Sequence, residues 1–456
     1  MPKRRPLLIG LLVALLLAGG LAAAWVWNER RPRDVRGSAT VEFDPGLSPE
    51  AQRRRPARPQ RPVRPAKPAR PRRRKAPPPP PAWPTYGYDL ARTHVAPDWD
   101  LRPPFRRAWT VRTGNVLEFP PVVARGRLFV AQAKGRFLAI DGRSGKVFWR
   151  KRFRRCSAAS PTVEGDVVYA VFLHELPCAK DDRDAPGLVV AMRIRGGGIL
   201  WRFRTGPVES SPLLVNGTLY FGSWNHRLAA LDVRGRRPRL RWSFEADDEL
   251  NSSPAYAGGT IYIGSDGGSL YAVDARTGRL RWRARSFSRF GRREYFYATP
   301  TVAYGRVYIG NTDGTVYAYG AASGRLLWAR GAGSYVYTAA AVWRRTVYVG
   351  SYDGNVYALD AATGDVRWRY ESPGSIHGAP TVLSGLVYFS TCGTCGSRGS
   401  RYAKRGPRTS FALDARTGKL VWSYPDGHYS PVVADRERVY LTGSTRIYGL
   451  VPRRMQ

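Results

Sequence analysis

Residues 340–368 read AAVWRRTVYVGSYDGNVYALDAATGDVRW, four short apolar segments separated by turns. Asp353 and Gly354 suit the positive-φ turn that closes a hairpin between two of these segments. In the next turn, the side chains of Asp360 and Thr363 can bond backbone N–H groups. Four antiparallel strands of this length cannot bury both faces of their sheet alone. The stretch therefore predicts one blade of a β-propeller, with a neighbour on each side.

The same pattern recurs along the chain, about every 40 residues. Near-identical turn-and-strand segments are DGRSGKVFW at 141–149, DARTGRLRW at 274–282, DAATGDVRW at 360–368 and DARTGKLVW at 414–422. A fifth, GAASGRLLW at 320–328, differs only at its first residue. The recurring tryptophans are Trp109, Trp149, Trp201, Trp242, Trp282, Trp328, Trp368 and Trp422. A repeat of this length with four strands is typical of a propeller.

The tryptophan spacing also sets the number of blades. Seven complete units lie between successive tryptophans, and three strands of an eighth unit end near Leu450. The strand around Trp109 has no preceding strands, so it can supply the missing outer strand and hide both sheet edges. We predict an all-β, eight-bladed propeller over residues 105–452, with four-stranded antiparallel blades closed by the N-terminal strand.

This repeat resembles the PQQ-type (quinoprotein-like) propeller repeat, whose hallmark is the docking motif Ala-x-(Thr/Ser)-Gly-x-x-x-Trp. Two branches of that family matter. One contains the quinoprotein dehydrogenases, and the other contains non-catalytic envelope propellers such as the lipoprotein of the outer-membrane β-barrel assembly machinery. In both branches the resemblance implies that the tryptophans are packing residues wedged between blades, not cofactor ligands.

The N-terminal region differs from the propeller. Residues 1–6 are short and basic, and residues 7–27 carry no charge over a length that can cross a bilayer as a helix. An uncleaved anchor competes with a signal peptide cut after residues 22–24. The tryptophans at positions 25 and 27 favour the anchor. We therefore expect a single-pass cell-membrane protein with the propeller on the extracytoplasmic side. Basic residues flank the span on both sides, so charge counting alone does not set its orientation.

Residues 28–82 are rich in arginine and proline, and the whole chain has a net charge of +40. Proline removes backbone donors and like charges repel, so this region is predicted to be a disordered tether. Residues 83–104 are a lead-in segment. A basic surface attracts anionic partners such as acidic wall polymers, although biased arginine usage explains the same composition.

One face of the predicted ring collects the variable residues. The three largest departures from the repeat, residues 173–187, 283–297 and 391–409, all fall on this loop face. The position three residues before the start of each inner strand is nearly always polar or aromatic and should surround the mouth of the central channel. Its binding candidates are Glu118, Glu209, Asn251, Tyr297, Tyr337, His377 and His428, and Ala158 holds the same place in the second blade.

Two kinds of chemistry are conceivable at this mouth, a metal site and a quinone site. His377, His428 and Glu118 form a conceivable ligand set for a metal, but the spacing is indirect and no metal site is predicted. In the resemblance, Glu209 and Asn251 correspond only loosely to the glutamate and asparagine that hold Ca²⁺ beside the quinone. Tyr297 stands where that comparison requires an aspartate base, and the chain has no adjacent cysteine pair. No catalytic residue and no cofactor is therefore predicted.

The four cysteines lie on the loop face. Cys156 and Cys178 can pair within the second blade, and Cys392 and Cys395 can close a small loop. Two disulfides fit an oxidising compartment. Zinc bound by four cysteines is the rival, but the two pairs belong to distant blades.

Together these features predict a non-catalytic, membrane-anchored, monomeric envelope propeller that binds a protein or peptide, and the resemblance implies a role in envelope protein assembly. The first alternative is a dehydrogenase that uses PQQ with Ca²⁺. The second is a binder of cell-wall or other polyanions through the basic linker; nucleic acid is not expected. One sequence does not identify the partner.

Overall fold

The computed structural model describes residues 17–24, 26, 33–54, 82–178, 182–289, 292–393, 404–429 and 432–453. Within these residues, eight four-stranded antiparallel sheets follow one another around a ring. The prediction of an all-β, eight-bladed propeller is confirmed. The strands of each blade are given below in order from the central channel outward.

Blades 1 to 4 are built from consecutive strands. Blade 1 comprises Val122–Ala124, Arg127–Ala131, Arg136–Asp141 and Val147–Arg152. Blade 2 comprises Thr162–Glu164, Val167–Phe172, Gly187–Arg193 and Ile199–Thr205. Blade 3 comprises Leu213–Val215, Thr218–Gly222, Arg227–Asp232 and Arg239–Glu245. Blade 4 comprises Ala255–Ala257, Thr260–Gly264, Ser269–Asp274 and Leu280–Arg285.

Blades 5 to 8 repeat the arrangement. Blade 5 comprises Thr301–Ala303, Arg306–Gly310, Thr315–Gly320 and Leu326–Gly331. Blade 6 comprises Ala341–Trp343, Thr346–Gly350, Asn355–Asp360 and Val366–Glu371. Blade 7 comprises Thr381–Leu383, Leu386–Ser390, Ser410–Asp414 and Leu420–Tyr424. Blade 8 comprises Val432–Ala434, Val439–Thr442, Arg446–Pro452 and Phe105–Arg112. A short hairpin, Ser288–Arg289 and Arg292–Arg293, lies between blades 4 and 5.

The ring closes as the sequence predicts. Phe105–Arg112 pairs antiparallel with Arg446–Pro452, so the first strand of the propeller completes the last blade. A register shift between Arg107 and Trp109 marks an irregularity in this pairing. Because these two strands pair with each other, the first and last strands of the propeller do not leave two separate unpaired edges.

The docking motif joins each blade to the next through one tryptophan. Trp328 illustrates the contact, because its indole Nε1 donates to the carbonyl oxygen of Ala361 at 3.1 Å. Gly364 lies on the indole with φ +76°, and a Cβ added there would be 2.9 Å from the ring. The motif glycine is thus required both by its backbone conformation and by the close approach of the ring. Equivalent bonds are made by Trp109, Trp149, Trp242, Trp282 and Trp368.

The lead-in segment passes through the central channel instead of preceding the ring. Its main chain bonds the inner strands of six blades at 2.7–3.0 Å: Trp83 to Val123, Pro84 to Val163, Leu90 to Tyr256, Ala91 to Val302, Thr93 to Val342 and His94 to Val382. These partners lie farther along the inner strands than the mouth residues do. The segment therefore closes the channel below the mouth and converts it into a blind cavity.

Residues 33–54 correct the prediction of a disordered tether over residues 28–82. Val35 forms a bridge with Ala329, and the Phe43 ring stacks on Tyr304 at 4.9 Å. The segment includes a 3₁₀ turn, Pro45–Leu47, and a short α-helix, Pro49–Arg54. We call residues 33–54 the strap. Its arginine-rich sequence gave no apolar period, because most of its attachment uses backbone groups and single side chains.

One buried arginine fixes the strap to the propeller. The Arg306 guanidinium, on blade 5, donates to the carbonyl oxygens of Ser38, Val41 and Glu42 of the strap at 2.6–2.9 Å. It also donates to Ala362 of blade 6 at 2.6 Å. These contacts lie at the turn after the inner strand, on the side of the ring opposite the mouth. The strap therefore covers part of the face that the variable loops do not use.

The rest of the N-terminal region is only partly described. Of the predicted span 7–27, residues 17–24 and 26 are helical. Residues 1–6 and 55–81 lie outside the described residues, as does most of the predicted span. No helix in the described part of the chain combines the length and apolarity that a membrane crossing requires.

Candidate functional site

A cavity of about 320 Å³ occupies the mouth of the channel above the lead-in segment. Its lining runs from Tyr86, a buried residue of the lead-in segment, to the exposed Cys178 in the long loop of blade 2. Six of the seven predicted mouth residues line it: Glu118, Glu209, Asn251, Tyr297, Tyr337 and His377. Ala158 also lines it. The repeat brings these side chains together because each sits just before an inner strand of a different blade.

Glu209 is held in place by aromatic donors. The Tyr297 hydroxyl donates to its Oε1, and the Trp224 indole Nε1 lies 3.2 Å from its Oε2. Trp224 Nε1 also donates to Asn251 Oδ1 at 2.5 Å, and Asn251 Nδ2 in turn donates to Asp266 Oδ2 at 3.0 Å. Burial and the charge of Glu209 raise the pKa of the Tyr297 phenol well above its usual value, so this phenol remains a donor. The contacts fix the orientation of one carboxylate in the cavity.

Glu118 is a second carboxyl group in the same cavity, with a different environment. It makes no hydrogen bond or ion pair with the part of the chain that the structure describes. Burial, and secondarily the charge of Glu209, raises the pKa of Glu118 to about 8. The ionised form is disfavoured because Glu118 is largely withdrawn from solvent and lies near the charge of Glu209.

This shift predicts how Glu118→Gln changes stability with pH. The pKa of Glu118 is raised from 4.5 to about 8 on folding, so its favourable contribution is complete at low pH and is lost as the pH rises from 4.5 towards 8. We expect the variant to match the wild type at pH 5. Relative to the wild type, it should then gain up to about 1 kcal/mol per pH unit between pH 6 and 8.

Urea unfolding at pH 5, 6, 7 and 8 measures this difference. Glu164→Gln is a suitable control because Glu164 is exposed at the end of the inner strand of blade 2. If the free energies of unfolding of Glu118→Gln and wild type differ by the same amount at all four pH values, the pKa of Glu118 is not raised on folding.

The opposite wall of the cavity is aromatic. The Tyr337 ring stacks on His377 at a centroid distance of 5.2 Å and meets Tyr297 edge-on at 5.1 Å. Tyr429 contacts His377 at 4.5 Å. The Tyr352 hydroxyl shares a hydrogen bond with His377 Nδ1, and burial lowers the pKa of His377 to about 3. His377 is therefore a neutral aromatic surface at physiological pH.

His428 is not part of the cavity lining. It is buried, its ring centroid lies 3.8 Å from that of Tyr429, and its Nδ1 has no hydrogen-bond partner among the described residues. Burial lowers the pKa of His428 to about 4. The set His377, His428 and Glu118 is not assembled as a metal site: within the described ranges, no group of three or more His, Cys, Asp or Glu side chains could hold a metal ion.

The loop-face cysteines border the cavity. Cys156 and Cys178 both line it and are joined by a disulfide with a Cα–Cα distance of 5.5 Å. This bond ties the long loop of blade 2 to the entrance of its inner strand. Cys392 is also in a disulfide. Cys395, its expected partner, lies outside the described residues.

Several lining residues escaped the sequence analysis. Tyr86 comes from the lead-in segment, while Phe119 and Tyr429 follow mouth residues directly. Trp224 and His174 belong to a second set, which lies two positions after the second strand of each blade. That set reads Ala133, His174, Trp224, Asp266, Thr312, Tyr352, Cys392 and Ser444. Its variation against a regular frame was a signal present in the sequence.

The cavity does not fit the PQQ cofactor. PQQ is a tricarboxylate, and the described lining contains two glutamates and no lysine or arginine. Holding an anion beside these groups requires a metal ion between them, and the geometry described above supplies no three-ligand set. Glu209 and Asn251 occupy the mouth, but both interact with the Trp224 indole.

Known proteins resemble this chain in sequence and in fold. The family model described as outer membrane protein assembly factor BamB matches residues 105–237, 236–337 and 331–454. The protein of that name from Moranella endobia (strain PCIT) is 30% identical over 150 residues, which span 30% of this chain and 36% of the relative. The chain thus matches little more than a third of that relative's length.

Two solved structures illustrate the likeness of fold. BamB from Moraxella catarrhalis superposes with a TM-score of 0.60 at 15% identity, covering 76% of this chain and 99% of that one. Quinohemoprotein alcohol dehydrogenase from Comamonas testosteroni gives 0.62 at 13% identity, covering 82% and 81%. At these identities, the two structures share the propeller fold with this chain and indicate nothing further.

Proposed function

Since this chain belongs to the family described as outer membrane protein assembly factor BamB, we propose that it is a non-catalytic scaffold that binds a protein in the cell envelope. Its role would be in the assembly or organisation of envelope proteins. The propeller would be held at the membrane by the N-terminal segment, on the extracytoplasmic side. The Cys156–Cys178 disulfide supports an oxidising compartment.

The asymmetry of the two faces carries this proposal. The lead-in segment closes the channel from below, and the strap covers part of the face opposite the mouth. The mouth face instead carries the long loops and the cavity. Binding residues are commonly placed on loops that a rigid scaffold positions. The mouth face is therefore the side on which we expect the partner.

Photo-crosslinking in intact cells tests this expectation. A photoreactive residue at Glu175 or Tyr295, both exposed on loop-face segments, should trap one envelope protein reproducibly. The same residue at Glu164, exposed on the opposite side of blade 2, is the matched control. Equal trapping from Glu164, or trapping of cytoplasmic proteins alone, would overturn the proposed site and location.

A PQQ-dependent dehydrogenase is the second candidate, supported by Glu209 and Asn251 in the mouth. Purified protein mixed with PQQ and Ca²⁺ should show no cofactor absorbance and no dye reduction if the scaffold proposal is right. Turnover that disappears in Glu209→Gln would establish the dehydrogenase instead. Polyanion binding by residues 51–75 is separable, because it should collapse with salt and vanish when those residues are deleted.

A further inference from the structure

The mouth cavity has one carboxyl-bearing side and one aromatic side. Glu118 and Glu209 lie on the first side, and Tyr337, His377 and Tyr429 lie on the second. No lysine or arginine is among its described lining residues. Aromatic faces attract cations electrostatically, and desolvated carboxylates pair with them strongly. We propose that this cavity binds the ammonium or guanidinium group of a lysine or arginine side chain inserted by the partner protein.

The fixed carboxylate is Glu209. Tyr297 and Trp224 orient it before any ligand arrives, so a cation would meet a preorganised negative group. Preorganisation reduces the ordering cost of binding. The chain as a whole is strongly basic, which makes a carboxylate-lined recess at the centre of the loop face a local exception.

Glu118 provides an independent indication of a ligand. Its carboxyl group lines the cavity, makes no hydrogen bond to the described residues and is only partly shielded from solvent, so it is accessible to a ligand that enters the cavity. A cation placed between Glu118 and Glu209 would favour the ionised form of Glu118, which burial and the charge of Glu209 otherwise disfavour. The raised pKa of Glu118 is the expected property of such a site before it is filled.

The other titratable groups of the described lining are phenols, imidazoles and carboxyl groups, with no ammonium or guanidinium group among them. The phenols that share the cavity are Tyr86, Tyr297, Tyr337 and Tyr429. The imidazoles are His174 and His377, and the carboxyl group of Asp266 lies behind Asn251. His377 is neutral because burial lowers its pKa to about 3. Burial and the charge of Glu249 raise the pKa of Asp266 to about 8, so this carboxyl group is mostly protonated and uncharged at neutral pH.

Binding should also release a proton. A cation stabilises the ionised form of Glu118, so the affinity should rise as the pH increases from 6 towards 8 and then level off. In Glu118→Gln this pH dependence should disappear while some binding through Glu209 remains. Loss of the pH slope is an effect that a merely structural role for Glu118 would not produce.

The test uses the full-length protein and three probes. Nα-acetyl-arginine amide should bind, and its neutral analogue Nα-acetyl-citrulline amide should bind at least about tenfold more weakly. Titration calorimetry measures the affinity for both probes. Glu209→Gln should weaken the arginine probe about tenfold, whereas Glu164→Gln should leave it unchanged. Equal affinity of the wild-type protein for the arginine and citrulline probes would overturn the proposal.

The identity of the cation source rests on the proposed function, and the outcomes separate the two. Tetramethylammonium is the third probe; if it binds more tightly than the arginine probe, the site serves a free quaternary amine and the side-chain assignment is wrong. Crosslinking from Glu175 without probe binding would refute the cation pocket and leave the scaffold standing. Probe binding without a crosslinked partner would refute the scaffold.

Discussion

Replacing Trp328 with alanine is expected to lower the free energy of unfolding by about 4 kcal/mol. Trp328 is fully buried, in contrast to its counterparts in the other blades. The indole loses its bond to the Ala361 carbonyl, and the Gly364 turn loses the surface on which it rests. Truncation of a large buried ring leaves a cavity that the surrounding β-strands cannot fill by collapse.

The cause of this complete burial is the strap. Gly37 lies against the indole, where an added Cβ would be 2.9 Å from Trp328 Cδ1, and Gly37 N donates to Thr363 O. Trp282 holds the same motif position one blade earlier and makes the same kind of bond, to Ala321 O at 3.0 Å, but remains partly exposed. Trp282→Ala should therefore cost only about half as much as Trp328→Ala.

Urea unfolding followed by circular dichroism compares the two variants. Equal losses of unfolding free energy in the two variants would mean that the strap adds no stability at Trp328. Limited proteolysis provides a second measurement: residues 33–54 should become more susceptible in Trp328→Ala than in Trp282→Ala, because only the former removes a ring on which the strap packs.

The contrast between these tryptophans shows what the sequence could and could not predict. The motif located the indoles, the blade boundaries and the closing strand, because each depends on side chains repeated at a fixed spacing. Nothing in that spacing distinguished Trp328 from Trp282. Their difference comes from residues 33–54, whose composition indicated a disordered tether.

The lead-in segment was missed for a related reason. Its bonds to blades 1, 2, 4, 5, 6 and 7 use backbone N–H and C=O groups, which nearly every residue carries and which leave no sequence pattern. The mouth residues were recognised as a ring because they vary within a repeating frame. Trp224 and the other residues two positions after the second strand of each blade were overlooked. The same comparison between blades would have found them.

Arg92 should be the most sensitive single residue of the lead-in segment. Its guanidinium is completely buried and donates to five oxygens: Pro254 O, Ser211 O, Pro212 O, Tyr86 O and Thr85 Oγ1. The acceptors belong to blades 3 and 4 and to the segment itself. Burial lowers the pKa of Arg92, but five acceptors stabilise the protonated form that they require.

Arg92→Met is expected to lower the free energy of unfolding by about 3–5 kcal/mol, because it leaves several buried carbonyl oxygens without donors. Arg281→Met is the matched control: Arg281 pairs with Asp274 at the surface, and its loss should cost less than about 1 kcal/mol. Since Arg92 also bonds Tyr86 O, the floor of the mouth cavity should loosen in Arg92→Met. Proteolysis between residues 83 and 96 and weaker binding of the arginine probe would report this loosening. A variant as stable and as protease-resistant as Arg281→Met would show that the main-chain bonds of the segment suffice to close the channel without Arg92.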